Sequence, residues 1–161
     1  MILHTRPIRA AIAAVLALSG AAFAADGEAE TSAVERWQAD KSVIFDASEV
    51  TLDDFRWIAR PVVVFADSEA VPDFSTQIEF LNERLDELVR RDVVLITDTS
   101  PADRSELRRK LRPRGFMLTL IGKDGGVKLR KPFPWDVREI SRQIDKMPIR
   151  QQEIRNDLAA E

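Results

Sequence analysis

Three short runs of branched and aromatic residues constrain this chain more than any other feature: Arg60-Pro61-Val62-Val63-Val64-Phe65-Ala66, Val93-Val94-Leu95-Ile96-Thr97, and Phe116 to Ile121. Each is apolar at consecutive positions instead of alternate ones, the pattern of a strand covered on both faces of a sheet. Pro61 stands near the start of its run, where a missing backbone donor costs least. Phe74, Ile78, Leu81, Leu85 and Leu88 recur at steps of four and three, which predicts an amphipathic helix over 73–91. After the second run, Ser100-Pro101-Ala102-Asp103 supplies a capping hydroxyl, a proline at the first helical position and an acid. That helix would turn Leu107 and Leu111 inward and end before Pro113.

Gly122-Lys123-Asp124-Gly125-Gly126 supplies turn chemistry ahead of Val127 to Arg130, predicting a hairpin and an antiparallel edge. Asp136 with Glu139 opens a last helix carrying Val137, Ile140, Ile144 and Met147 on one face, which Pro148 kinks or ends. Upstream, Val43-Ile44-Phe45 is β-prone, and Leu52, Phe55, Trp57 and Ile58 are apolar anchors. The order β-α-β-α-β-β-α predicts an α/β fold, a mixed sheet with helices on both faces.

At the amino terminus Arg6 and Arg9 precede an apolar run from Ala10 to Phe23 that ends in Ala22-Phe23-Ala24. The run is shorter than a spanning helix needs and is followed by Asp26, Glu28 and Glu30 instead of a basic cluster, so residues 1–24 are expected to be a cleaved signal peptide. No transmembrane anchor is expected after cleavage, and the protein is expected in the periplasm or outside the cell. Residues 25–36 read as a flexible acidic leader, and 37–161 as one domain whose order begins near Trp37.

The chain has no cysteine, and its one histidine is His4, within the expected signal. The mature chain would then lack the side chains for Ser-His-Asp and Cys-His nucleophile pairs, for redox disulfides, and for ordinary zinc, haem and copper sites. It also has no phosphate loop, calcium loop or nucleophile elbow, so no cofactor or metal is expected, and catalysis would fall to carboxylates, lysines, arginines and hydroxyls.

The element order is similar to the thioredoxin fold, and Val62-Val63-Val64-Phe65-Ala66 followed by a polar turn resembles the strand that leads into a thioredoxin active site. Counted without gaps, that family's two cysteines fall on Glu69 and Pro72, and no proline occupies Phe116 or Met117, where the family places its substrate-presenting proline. The resemblance is therefore one of fold and not of active-site motif. The run Phe116 to Trp135, FMLTLIGKDGGVKLRKPFPW, with IDKMPIRQQE at Ile144 to Glu153, resembles the bacterial family known as domain of unknown function 4174. That resemblance implies a thioredoxin-like fold and, through related domains of vertebrate extracellular-matrix proteins, secretion and adhesion instead of a defined reaction.

In such a sheet the loops after the first two strands and before the third share one edge, the usual place for a site. They carry Asp67, Ser68 and Glu69, then Asp98 and Thr99, then Arg112 and Arg114. Carboxylates facing arginines could hold a polar ligand, or Ser68 and Thr99 could cap helices while the charges pair on the surface. Residues 104–131 hold ten lysines and arginines against Glu106 and Asp124, a net +8, whereas the mature chain has 22 basic and 27 acidic side chains, a net −5. Lys128 and Arg130 belong to this basic segment, which could recruit an anionic glycan, a lipid headgroup or an acidic protein, or be neutralised by Glu79, Glu83, Asp86 and Glu87. An acidic exported chain without a binding motif is a poor match for nucleic acid. Trp135 in Phe133-Pro134-Trp135 is either an exposed anchor for a partner or a staple over Ile140. Three functions stay open: a non-catalytic binding module, a structural or chaperone-like partner of another exported protein, and a carboxylate-dependent hydrolase or transferase using Asp67, Glu69 or Asp98.

Overall fold

Along the three apolar runs, successive side chains enter two different cores. In β2 (Arg60–Phe65), Val63 and Phe65 face one layer, and Val62 and Val64 face the other. In β3 (Val93–Asp98) the split is Val94 and Ile96 against Val93 and Leu95, and in β4 (Met117–Ile121) it is Met117 and Ile121 against Leu118 and Leu120. This period of two, with both sets apolar, is the physical content of a strand buried on both faces. The computed structural model describes residues 31–160; the expected signal peptide and the leader up to residue 30 lie outside them.

Two further strands complete a five-stranded mixed sheet: β1 (Ile44–Asp46), pairing parallel to β3, and β5 (Val127–Lys131), pairing antiparallel to β4. The strand order is β1-β3-β2-β4-β5, with β2 parallel to β3 and antiparallel to β4. The glycine turn closes the hairpin as expected, the Gly122 amide donating to the Gly126 carbonyl at 2.9 Å while Gly125 takes a φ of 80°.

One face is covered by α1 (Ala33–Ala39) and α4 (Glu106–Leu111), which contribute Trp37, Leu107 and Leu111. The other is covered by α2 (Pro72–Glu83), α3 (Leu85–Val89) and α5 (Val137–Asp145), which contribute Leu81, Leu88, Val137, Ile140 and Ile144. A final helix, α6 (Pro148–Ala160), has no buried residue.

Three local expectations are corrected. Residues 33–36, assigned to the flexible leader, form the first turn of α1: Ser32 and Glu35 make a reciprocal capping box, and Trp37 buries its ring and donates its indole N–H to the Val93 carbonyl at 3.3 Å. The expected helix over 73–91 is broken at Arg84, where φ is −136°. Leu81 and Leu88 pack into the same core on either side of the break, so tertiary packing overrides the helical preference of the intervening residues. Ser100 starts only a 3-10 turn, Pro101–Asp103, after which Arg104 takes a left-handed φ of 49° and Ser105 becomes the cap of α4.

Candidate functional site

The last residue of β3 shows what becomes of the carboxylates expected to face arginines. Asp98 is only 3 % exposed, and its partner is Arg108, not Arg112 or Arg114. The Arg108 Nε and Nη2 donate to Asp98 Oδ1 at 3.0 and 2.7 Å, and Ser105 Oγ donates to Oδ2 at 2.5 Å. Arg108 Nη2 also reaches the backbone carbonyls of Ala66 and Asp98, so one guanidinium ties α4 to the ends of β2 and β3. Both Asp98 oxygens are occupied from within the fold, which makes this a structural clamp.

Asp67, Ser68 and Glu69 lie exposed in the β2–α2 loop, with no ion pair to either acid among the described residues. Neither Ser68 nor Thr99 caps a helix: α2 begins from Val71 with Pro72 at its first position, and the cap of α4 is Ser105. Among the described residues no group of three or more acids is placed to hold a metal ion.

The arginines converge elsewhere. Pro113 stops α4, and Arg112 turns the chain through a left-handed φ of 51°. The loop therefore runs back alongside the start of β4, where β5 lies in antiparallel register with Leu118 opposite Lys131 and Thr119 opposite Arg130. Arg112, Arg114, Arg130 and Lys131 thus surround an open groove of about 250 Å³ floored by Phe116, Met117 and Pro132. Among the described residues four cations line it and no carboxylate does. Arg130 is held by donation from Nη1 to the Leu111 carbonyl, at the end of α4. The Lys131 ammonium sits 4.5 Å from the Trp135 ring centre and 5.7 Å from that of Phe133.

Two other expected contact residues fall outside this groove. Lys128 is turned to Asp124 at 2.6 Å, a bond that holds the Asp124 carboxyl below its ordinary pKa. Trp135 packs half-buried against the α5 core, and its role at the groove is to support Lys131. Phe133 is the more exposed ring, at 51 %. Gln77, fully buried on α2, fixes the segment: its side-chain amide donates to the Trp135 carbonyl at 3.1 Å and accepts from the Trp135 amide at 2.7 Å.

The basic segment is not neutralised by the acids of α2 and α3. Asp86 and Glu87 pair with Arg90 and Arg91, while Arg108, Lys110, Lys123 and Lys128 of the segment pair with other acids. Sequence reasoning missed Lys131, Arg108 and Ser105. For Arg108 the sequence does hold a signal, since the spacing of Leu107 and Leu111 places it on the flank of the buried stripe.

The family comparison bears on this arrangement directly: the sequence pattern of the domain of unknown function DUF4174 matches residues 51–153. The chain belongs to the DUF4174 family. The match spans β2 to the first part of α6 and so contains the whole cationic groove. A comparison with curated proteins gives no match. Among solved structures, this DUF4174 chain is similar to a Plasmodium vivax 2-Cys peroxiredoxin in its reduced form, at 18 % identity and a TM-score of 0.52, over 65 % of this chain and 85 % of that one. It is also similar to Plasmodium yoelii Prx1a, at 19 % identity and a TM-score of 0.50, over 65 % of this chain and 82 % of that one. At such identities the likeness is one of fold, and it supports the thioredoxin-like architecture. The DUF4174 chain has no cysteine, so the fold is present without a thiol.

Proposed function

We propose that this DUF4174 protein is an exported, non-catalytic thioredoxin-like binding module that takes an anionic partner in the groove of Arg112, Arg114, Arg130 and Lys131. The observation that carries the reading is the charge of the groove: four cations and, among the described residues, no acid around an apolar floor, on a protein whose mature chain is net acidic. Such a concavity concentrates positive potential and draws anions to it. Export is supported by the Arg6 and Arg9 flank, the apolar run and the Ala22-Phe23-Ala24 end of the amino-terminal segment. The partner classes that fit are a sulfated or carboxylated glycan, an anionic lipid headgroup and an acidic protein surface. The alternative of a carboxylate-dependent hydrolase or transferase has less support, because Ser105 and Arg108 occupy both oxygens of Asp98 while Asp67 and Glu69 stand free in solvent.

The test uses mature protein against a polysulfated glycan resin and against vesicles of anionic or zwitterionic lipid. Retention should fall steeply with salt and be lost in Arg112→Glu with Arg114→Glu. Binding that ignores salt and survives the double variant would overturn the proposal.

A further inference from the structure

A second cationic depression, built from other residues, lies between α3 and α5. Arg138, Ser141, Arg142 and Asp145 are spaced by three, one and three, so they form a single stripe on α5. Opposite them stand Arg84, at the break before α3, with Glu87 and Arg91. These seven residues line an open depression of about 200 Å³.

Its two acids are already committed. Asp145 receives Arg91 Nε and Nη2 at 2.9 and 2.8 Å, and Glu87 receives Arg91 Nη1 at 2.8 Å. Among the described residues Arg142 holds only an exposed contact to Glu139, of the kind that contributes little. Arg84 and Arg138 have no carboxylate partner among the described residues. Beside them Ser141 is only 6 % exposed, and its hydroxyl has no hydrogen-bond partner among the described residues. A shielded hydroxyl without a partner is costly, and a turn about the Ser141 Cα–Cβ bond would carry it to an acceptor in the depression. Ser141 thus calls for an acceptor, and Arg84 and Arg138 call for negative charge.

We infer that this depression is a binding site for a tetrahedral oxyanion of the phosphate or sulfate type. Guanidinium groups bind such an ion through paired, charge-assisted hydrogen bonds, and the ion's several oxygens can meet two arginines and a hydroxyl at once. The volume corresponds to about seven waters, enough for an oxyanion that keeps part of its hydration.

The test is an amide and arginine side-chain NMR titration of the mature protein with inorganic phosphate, then sulfate, at constant ionic strength. Saturable shifts are expected at Arg84, Arg138 and Ser141. Arg84→Gln with Arg138→Gln should weaken them by about tenfold or more, whereas Arg112→Glu with Arg114→Glu should leave them unchanged. Ser141→Ala gives an independent readout: the ligand-free Tm should hold or rise, while the gain in Tm on adding phosphate should shrink. Vesicles of phosphatidic acid, titrated in parallel, identify the source. Binding sensitive to Arg84→Gln with Arg138→Gln means a headgroup phosphate, and shifts from inorganic phosphate alone mean the free ion. Absence of saturation with both oxyanions, or shifts undiminished in Arg84→Gln with Arg138→Gln, would overturn the assignment.

Discussion

Arg108 holds Asp98 through two nitrogens on one carboxylate oxygen, 3.0 and 2.7 Å away, with 12 % of the arginine side chain and 3 % of the aspartate side chain exposed. Removing one member of a buried pair strands the other's charge, so Arg108→Met should cost about 3 kcal/mol in urea unfolding. Replacing both, with Asp98→Leu added, should recover part of that loss, because the desolvated charge disappears as well. A double variant as unstable as the sum of the two single ones would show that the clamp's contribution is not the pairing of these charges.

The strands are legible in the sequence because burial on both faces leaves an uninterrupted apolar run, and Val62 to Phe65, Val93 to Ile96 and Met117 to Ile121 are strands at almost the positions so marked. The cap at Asp136 is equally visible, since a side chain that bonds a backbone amide two residues on is a local event. The break at Arg84 is not, because it answers to the core under Leu81 and Leu88 instead of to neighbouring residues. The site is half legible. Composition shows that the basic segment carries net charge, but which arginines share a groove depends on the turn at Arg112 and on the β4–β5 register. Arg60 and Glu153, separated by 93 residues, form a pair that no local pattern announces.

That distant pair contributes to the acid response. The Arg60 side chain is 1 % exposed, and its Nη2 meets both oxygens of Glu153 at 3.0 and 2.9 Å. Burial alone would raise the Glu153 pKa, but bonds from Lys123 and the charge of Arg60 outweigh it and hold the carboxyl below the ordinary glutamate value. At Asp92 burial likewise pushes upward, and bonds from Lys41 and Lys123 reverse it. For both groups the folded pKa is depressed. Their contribution is therefore complete above the unfolded carboxylate range, about pH 4, and is lost as pH falls through the lower folded values. Glu153→Gln should cost about 2 to 3 kcal/mol near neutrality and flatten the acid limb of the stability curve, as measured by urea midpoints across pH. A steep acid limb that is unchanged in Glu153→Gln would assign the acid sensitivity to other carboxylates.

Truncation separates the two halves of α6. No residue of this helix is buried, yet Glu153 anchors Arg60, and the family match ends at that residue. A stop after Asn156 removes the exposed positions Asp157 to Ala160 together with the last residue and should change stability by less than about 1 kcal/mol. A stop after Gln152 strands Arg60 and should cost at least as much as Glu153→Gln. Equal losses from the two truncations, by thermal unfolding, would mean that α6 contributes as a whole helix and not through one carboxylate.

Gln77 connects the α5 core to the cationic groove. Its amide makes both hydrogen bonds to the backbone of Trp135, and Lys131 rests on the Trp135 ring. Gln77→Leu keeps the bulk but leaves a backbone donor and acceptor without partners, at about 2 to 3 kcal/mol. The freed segment should let the Trp135 ring shift, moving the Lys131 ammonium and lowering affinity for anionic vesicles. Leu81→Val, which trims the same core but keeps both Gln77 bonds to Trp135, supplies the control for lost stability alone. Weakened vesicle binding in Gln77→Leu but not in Leu81→Val, at temperatures where both remain folded, is the expected result. Equal binding by the two variants would show that the groove does not depend on where Trp135 holds Lys131.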